Sequence, residues 1–94
     1  MKLIQIEEIN NSKFLVTVTK SKVTLHTVHI SDVAHRQYSF GRMTKEQLIK
    51  KSFLFLLQRE DQTSILKEFN IEVIGDYFPE YLNIGKLGWI DVSG

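Results

Sequence analysis

The chain has 94 residues, of which 43% are hydrophobic and 24% are charged, and this composition is typical of one globular domain. The absence of cysteine excludes disulfides, thiolate metal sites and a cysteine nucleophile. No stretch reaches the ~18 consecutive apolar residues that a membrane span needs. Polar residues also interrupt the first apolar run, unlike the core of a signal peptide. The sequence therefore predicts a single domain over residues 1 to 94, in the cytoplasm and without membrane contact.

The net charge of +1 hides an uneven distribution of charge along the chain. Residues 1 to 51 hold nine Lys or Arg against four Asp or Glu, whereas residues 52 to 94 hold three against seven. The solvated faces of an ordinary domain would explain this division. A dipolar surface that attracts a partner, or a second copy of the chain, would explain it as well.

Three β-strands are predicted in the first thirty residues, where β-branched residues recur with a period near two. The polar connections at residues 10 to 12 and 20 to 22 are short, which favours antiparallel neighbours because a parallel pair needs a long crossover. In the third strand the apolar side switches near His26, which predicts a bulge or a sheet covered on both faces. The expected arrangement is an antiparallel three-stranded meander.

Two helices are predicted after the strands. Ser31 or Asp32 can cap a short helix that runs to about residue 39, and Gly41 can supply a left-handed terminator. Thr44, followed three residues later by Gln47, forms a capping-box pattern, so a longer helix is predicted from residue 45 to about residue 59.

Residues 53 to 57 of the longer helix are all apolar, which widens its apolar stripe beyond the usual arc. Residues 61 to 70 are interpreted as a second short helix, and residues 71 to 78 carry apolar residues at helical spacing that Gly75 interrupts. The predicted fold is α+β, an N-terminal antiparallel three-stranded meander packed against C-terminal helices. Its core is predicted to contain Phe14, Val16, Val18, Leu48, Phe53, Leu56, Leu57, Leu66 and Phe69.

Three segments in the second half of the chain form a recognisable pattern. They are F-x-F-L-L-x-R-E at residues 53 to 60, S-I-L-x-x-F at residues 64 to 69 and Y-F-P-E-Y at residues 77 to 81. This pattern resembles that of a family of small uncharacterised bacterial proteins. The resemblance implies a shared fold and carries no known activity, so it assigns no site residues.

A second resemblance concerns residues 26 to 52. HTVHIS, DVAHRQYS and the T-x-E-x-L-I-x-x-S pattern from residue 44 are similar to the strand and helices of ribbon-helix-helix DNA-binding proteins. Nucleic-acid binding is accordingly the alternative function. It would use a basic patch, provided that the turn at residues 20 to 22 lies near the start of the long helix. The candidate contacts are Lys20, Lys22, Arg36, Arg42, Lys45, Lys50 and Lys51.

No catalytic or metal-binding pattern is recognisable in the sequence, and no cofactor is expected. His26 and His29 are three residues apart on a strand and should point to opposite faces, which argues against a metal site with Asp32 and His35. Arg59, Glu60 and Asp61 could form a carboxylate cluster. A C-terminal arginine beside an acidic cap for the next helix is the commoner arrangement.

The preferred function is a non-catalytic protein-interaction module that associates as a homodimer and can bind another protein. Two features favour it. The first is the excess of apolar surface on the long helix, where Leu54 and Phe55 are the candidate contacts. The second is the aromatic corner around Pro79, where Tyr77 and Tyr81 would anchor a partner if they are exposed.

Overall fold

A computed structural model describes residues 3 to 39 and 41 to 81. Within these residues the chain forms a four-stranded sheet and three α-helices, so the predicted α+β class is confirmed. None of the described helices is long and apolar enough to cross a membrane. In chain order the elements are β1 Ile4–Asn10, β2 Lys13–Thr19, β3 Val23–His29, α1 Asp32–Ser39, α2 Lys45–Leu57, a 3-10 turn Gln62–Ser64, β4 Glu68–Asn70 and α3 Val73–Tyr77.

The predicted meander is present, because β1 pairs with β2 and β2 pairs with β3, both antiparallel. Even-numbered residues of all three strands face α2, and the pairs Ile6↔Val16 and Phe14↔Val28 show this register. The β2–β3 pairing has no bulge. Val23 and Leu25 instead lie on the opposite face of the sheet, where they are 62% and 57% exposed. Neither of the two explanations predicted for the third strand therefore holds.

A fourth strand stands where a helix was predicted over residues 61 to 70, and that prediction was wrong. β4 pairs in parallel with β3 through Val28↔Phe69 and its neighbours. Two further backbone bonds flank the pairing: the Thr27 N–H donates to the Lys67 carbonyl at 2.7 Å, and the Ile71 N–H donates to the His29 carbonyl at 2.9 Å. These backbone bonds to the edge of β3 favour the extended conformation, and they outweigh the helical spacing of a short segment.

The two helices that connect β3 to β4 begin where the sequence predicts. The Ala34 N–H donates to the Ser31 hydroxyl at 3.0 Å, which satisfies a free donor in the first turn of α1. In α2 the Gln47 N–H donates to the Thr44 hydroxyl and the Thr44 N–H donates to the Gln47 side chain, so the capping box is complete. Gly41, with φ of 72°, has the predicted left-handed conformation.

The core lies between the sheet and α2, and it contains most of the predicted residues. Leu48, Phe53 and Leu56 of α2 are buried against β-strand residues such as Phe14, Val16, Val18 and Phe69. Leu57 is partly buried at the margin of this core. Leu66 was wrongly assigned to the core and is 45% exposed. It precedes β4 outside any helix, so the spacing that predicted its burial does not apply to it.

The helix α3 closes the core at one end of the sheet. Ile74 is buried, and the helix continues through Gly75, so the predicted interruption at this glycine is absent. A Cβ at Gly75 would lie 3.6 Å from the Tyr38 hydroxyl oxygen, which places α3 close against α1. The helix ends at Tyr77, two residues before Pro79, as expected for a segment followed by proline.

Candidate functional site

A pocket of about 200 Å³ opens between the end of α2, β4 and α3, and we call it the α3 groove. Two large hydrophobic side chains of its lining are exposed, Tyr77 with 67% and Leu66 with 45% of its surface. Apolar side chains make most of its wall. The apolar lining consists of Leu56, Ile65, Leu66, Phe69, Val73, Ile74, Tyr77 and Phe78.

Glu60 is the charged residue in the wall of the α3 groove, and Ser64 lies beside it in the lining. Burial raises the pKa of the Glu60 carboxyl above its ordinary value, because a low-polarity environment disfavours the charged form. Among the described residues no side-chain donor or cation contacts this carboxylate. The groove therefore combines an apolar wall with one carboxylate that a positively charged group could stabilise.

The aromatic corner is divided between surface and core. Tyr77 is exposed, as the interaction hypothesis requires, whereas Tyr81 is fully buried. The Tyr81 ring packs at 5.2 Å from that of Tyr38 and at 5.4 Å from that of Phe55, measured between centroids. Phe55 is itself fully buried. Phe55 and Tyr81 therefore belong to the core, and Tyr77 alone among these three is placed to contact a partner.

A second depression, about 610 Å³, runs between β1 and α2, and we call it the edge groove. Ile4 and Ile6 line it on the side of the strand. Lys50 and the partly buried Leu54 line it on the side of the helix. Leu54 is thus the candidate contact of α2 that the fold leaves accessible, in contrast to its neighbour Phe55.

The basic residues of the first half do not meet as the nucleic-acid hypothesis requires. Lys45 lies at the start of α2, where its amino group donates to the Asn11 carbonyl at 2.6 Å and to Asp32 at 2.7 Å. The turn at residues 20 to 22 lies at the other end of the sheet, where the Lys22 carbonyl accepts from Gln62 at 3.1 Å. A seven-residue strand separates these two ends, a distance of roughly 20 Å.

The remaining predicted cations are distributed over the helices. Arg36 lies in the last turn of α1 and Arg42 follows that helix, both exposed. Lys50 lines the edge groove, and its neighbour Lys51 is half-buried on α2. Lys20 and Lys22 lie far from the start of α2, at the opposite end of the sheet. The condition that would join these cations into a single basic patch is therefore not fulfilled.

The three histidines have separate structural partners. His26 is buried, and its ring nitrogens lie 2.8 Å from the Leu66 carbonyl and 2.9 Å from the Thr24 hydroxyl. His29 pairs with Glu68 at 2.6 Å, and His35 bonds the Met43 carbonyl at 2.6 Å. No group of three or more potential metal ligands occurs in the described part of the chain.

Arg59, Glu60 and Asp61 have three different roles. The Arg59 guanidinium donates to the Phe55 carbonyl at 3.2 Å and lies 3.7 Å from the centroid of its ring, as a helix C-terminal arginine does. Asp61 accepts from the Thr63 N–H at 3.2 Å and caps the 3-10 turn. Hydrogen bonds from Thr63 lower the pKa of Asp61, and the nearby Lys20 and Lys22 lower it further. Glu60 lines the α3 groove.

Comparison of the chain with protein-family models, with curated protein sequences and with solved structures gave no significant match. The resemblance drawn from residues 53 to 81 therefore stays a prediction. The two grooves were not recognised in the sequence. The edge groove joins segments that are about forty residues apart, and the α3 groove depends on how successive elements between residues 56 and 78 pack on one another. Glu60 was considered only as part of a possible carboxylate cluster with Arg59 and Asp61, and nothing in the sequence distinguished it as a groove residue.

Proposed function

We propose that the protein is a non-catalytic protein-interaction module that binds an apolar segment of a partner protein in the α3 groove. The observation that carries this proposal is the exposure of Tyr77 and Leu66 in the lining of a 200 Å³ pocket with an apolar wall. Tyrosine is a frequent anchor in protein interfaces, because it contributes a large contact area at little cost in conformational entropy.

The size and charge of the groove indicate which segment it binds. An apolar cavity of roughly 150 Å³ accommodates benzene, so a pocket of about 200 Å³ can take one phenylalanine or leucine side chain. Glu60 lies in the same wall, and the second half of the chain is acidic. A lysine or arginine next to the apolar anchor would place a positive charge beside the Glu60 carboxylate. The proposed ligand is therefore an apolar side chain flanked by a basic residue.

The proposal can be tested with short fluorescent peptides that contain one phenylalanine and one lysine, separated by one to three alanines. Fluorescence polarisation should detect binding by at least one spacing. Replacing lysine by glutamate, or phenylalanine by alanine, should weaken it about tenfold or more. Absence of binding up to millimolar concentration, or equal binding of the lysine and glutamate peptides, would contradict the proposal.

Variants of the protein locate the contact. Glu60→Gln should remove the preference for lysine, and Tyr77→Ala should weaken every bound peptide. The matched control is Val33→Ala on α1, which truncates a side chain with 64% exposure outside the α3 groove. Equal losses in Val33→Ala and Tyr77→Ala would show that the peptides bind without using the groove.

A further inference from the structure

The strand β1 has one edge that is free of hydrogen-bond partners among the described residues. Within residues 3 to 39 and 41 to 81 it is the first strand of the sheet, and its only strand partner is β2. The Thr19 N–H donates to the Leu3 carbonyl at 2.8 Å, so the odd-numbered residues of β1 direct their backbone groups toward β2. By the alternation of an antiparallel strand, the backbone groups of Ile4, Ile6 and Glu8 point outward.

Apart from the charges of Glu7 and Glu8, this edge has little protection against another strand among the described residues. The irregularity in the pairing of β1 lies between Glu8 and Asn10, at the end of the strand, and leaves the stretch from Ile4 to Glu8 regular. No proline interrupts it. An uncovered strand of this kind is a template for pairing with another chain. The edge groove beside it provides space for the side chains of an added strand.

We propose that β1 of a second copy of this chain pairs antiparallel with β1 across a two-fold axis at Ile6. The two four-stranded sheets would then form one sheet of eight strands. The edge groove shares no lining residue with the α3 groove, so this homodimer goes beyond the proposed function and each can fail without the other.

Backbone geometry and charge select this register from the symmetric alternatives. An axis at Glu7 or Glu8 would place two identical carboxylates directly opposite each other, which is unfavourable. An axis at Ile4 or Gln5 would pair fewer of the outward-pointing residues. With the axis at Ile6, Ile6 pairs with its own copy and Ile4 pairs with Glu8 in both directions, giving roughly six backbone hydrogen bonds.

The same register places complementary charges together. Side chains of Ile4, Ile6 and Glu8 lie on the face of the sheet that packs against α2. Glu8 of the second copy, opposite Ile4, would enter the edge groove, which α2 lines with Glu46, Gln47, Lys50 and Leu54, and it would pair there with Lys50. By symmetry each dimer would contain this contact between Glu8 and Lys50 twice. The added strand would also cover the part of Leu54 that remains exposed.

A disulfide experiment tests the register, and the absence of natural cysteines makes it specific. In the proposed dimer Gln5 lies directly opposite Glu7 of the second copy in a pair without hydrogen bonds. Their Cα atoms would be about 4.5 Å apart, within the span of a disulfide. Two copies of Gln5 would be diagonal neighbours at roughly 7–8 Å, which is beyond that span.

Under mild oxidation, a mixture of the Gln5→Cys and Glu7→Cys variants should give a cross-linked dimer on a non-reducing gel. Each variant alone should remain largely uncross-linked. A mixture that does not cross-link, or single variants that cross-link as efficiently as the mixture, would overturn the proposed register.

Charge reversal provides a second test that introduces no cysteine. Light scattering over a concentration series should show a dimer for the wild type. Glu8→Lys and Lys50→Glu should each raise the dissociation constant about tenfold, and the double variant should restore it. A wild type that is monomeric at millimolar concentration, or a double variant no tighter than the single ones, would overturn the proposal even if peptides bind the α3 groove.

Discussion

The hydroxyl of Tyr81 allows one prediction to be worked out from the structure. It lies 2.6 Å from the hydroxyl of Ser52 on α2, and both residues are fully buried. Ser52 donates its own proton to the Leu48 carbonyl at 2.7 Å. Tyr81 must therefore be the donor in the bond to Ser52, and this bond requires the neutral form of the phenol.

At neutral pH the substitution Tyr81→Phe should reduce the free energy of unfolding by about 1 kcal/mol. It removes the buried hydrogen bond to Ser52 and keeps the ring that packs against Tyr38 and Phe55. Ser52 keeps its own bond to the Leu48 carbonyl. The expected cost is that of the neutral hydrogen bond between Tyr81 and Ser52.

At alkaline pH the order of stability should reverse. Burial raises the pKa of the Tyr81 hydroxyl well above its ordinary value. The unfolded chain then loses this proton near pH 10 while the folded chain keeps it. The contribution of Tyr81 is thus complete below pH 10 and falls by about 1.36 kcal/mol per pH unit above it. Because the hydrogen bond contributes about 1 kcal/mol, wild type and Tyr81→Phe should have equal stability near pH 11.

Urea unfolding followed by circular dichroism between pH 7 and pH 12 measures this reversal. The stability difference between the two proteins isolates Tyr81, because lysines and other groups titrate in both. The matched control is Tyr77→Phe, which removes a hydroxyl from a side chain that is 67% exposed. This control should follow the wild-type curve. A difference between wild type and Tyr81→Phe that stays constant from pH 7 to pH 12 would refute the reasoning.

Four further substitutions test local features of the fold, each by urea unfolding. Gly75→Ala should stabilise the protein by up to ~1 kcal/mol, because alanine is the better helix former and the new Cβ meets the Tyr38 hydroxyl at an ordinary 3.6 Å. Gly41→Ala should destabilise it by about 1 kcal/mol, because φ is 72° there; a gain at Gly41 would contradict the assigned conformation. Thr44→Ala should cost about 1 kcal/mol through loss of the capping box, and an unchanged midpoint would show that tertiary packing alone places the start of α2. Gln62→Leu should cost about 1–3 kcal/mol, since the buried amide donates to two backbone carbonyls of the β2–β3 hairpin; a neutral result would mean that water replaces these bonds.

Features that depend on neighbours within four residues could be predicted from the sequence. The capping box at Thr44, the left-handed Gly41 and the cap at Ser31 each involve a side chain and a backbone group in the same turn. The meander follows similarly from period-two alternation and short polar connections. These rules need no information about the rest of the molecule, because the interacting groups are already close along the chain.

The strand β4 could not be predicted in the same way. Its three residues are too few to show a periodicity, and the spacing of Ile65 and Phe69 is as compatible with a helix as with a strand. The open edge of β3 decides between them, and it lies about forty residues earlier in the chain. Leu66 is exposed because it lies between the 3-10 turn and β4, outside the helix whose spacing predicted its burial.

The candidate sites depend most strongly on tertiary structure. An aromatic corner and a broad apolar helix are visible in the sequence, yet residue type does not distinguish the exposed Tyr77 from the buried Tyr81, or Leu54 from Phe55. Exposure is decided by what packs against each side chain: α3 leaves the groove beside Glu60 open, and among the described residues no strand pairs with the outer edge of β1. The sequence by itself thus determined the fold class and the starts of α1 and α2, through interactions between near neighbours. Only the packing of the elements against one another decided which surfaces remain open, because the burial of a side chain depends on every element that contacts it.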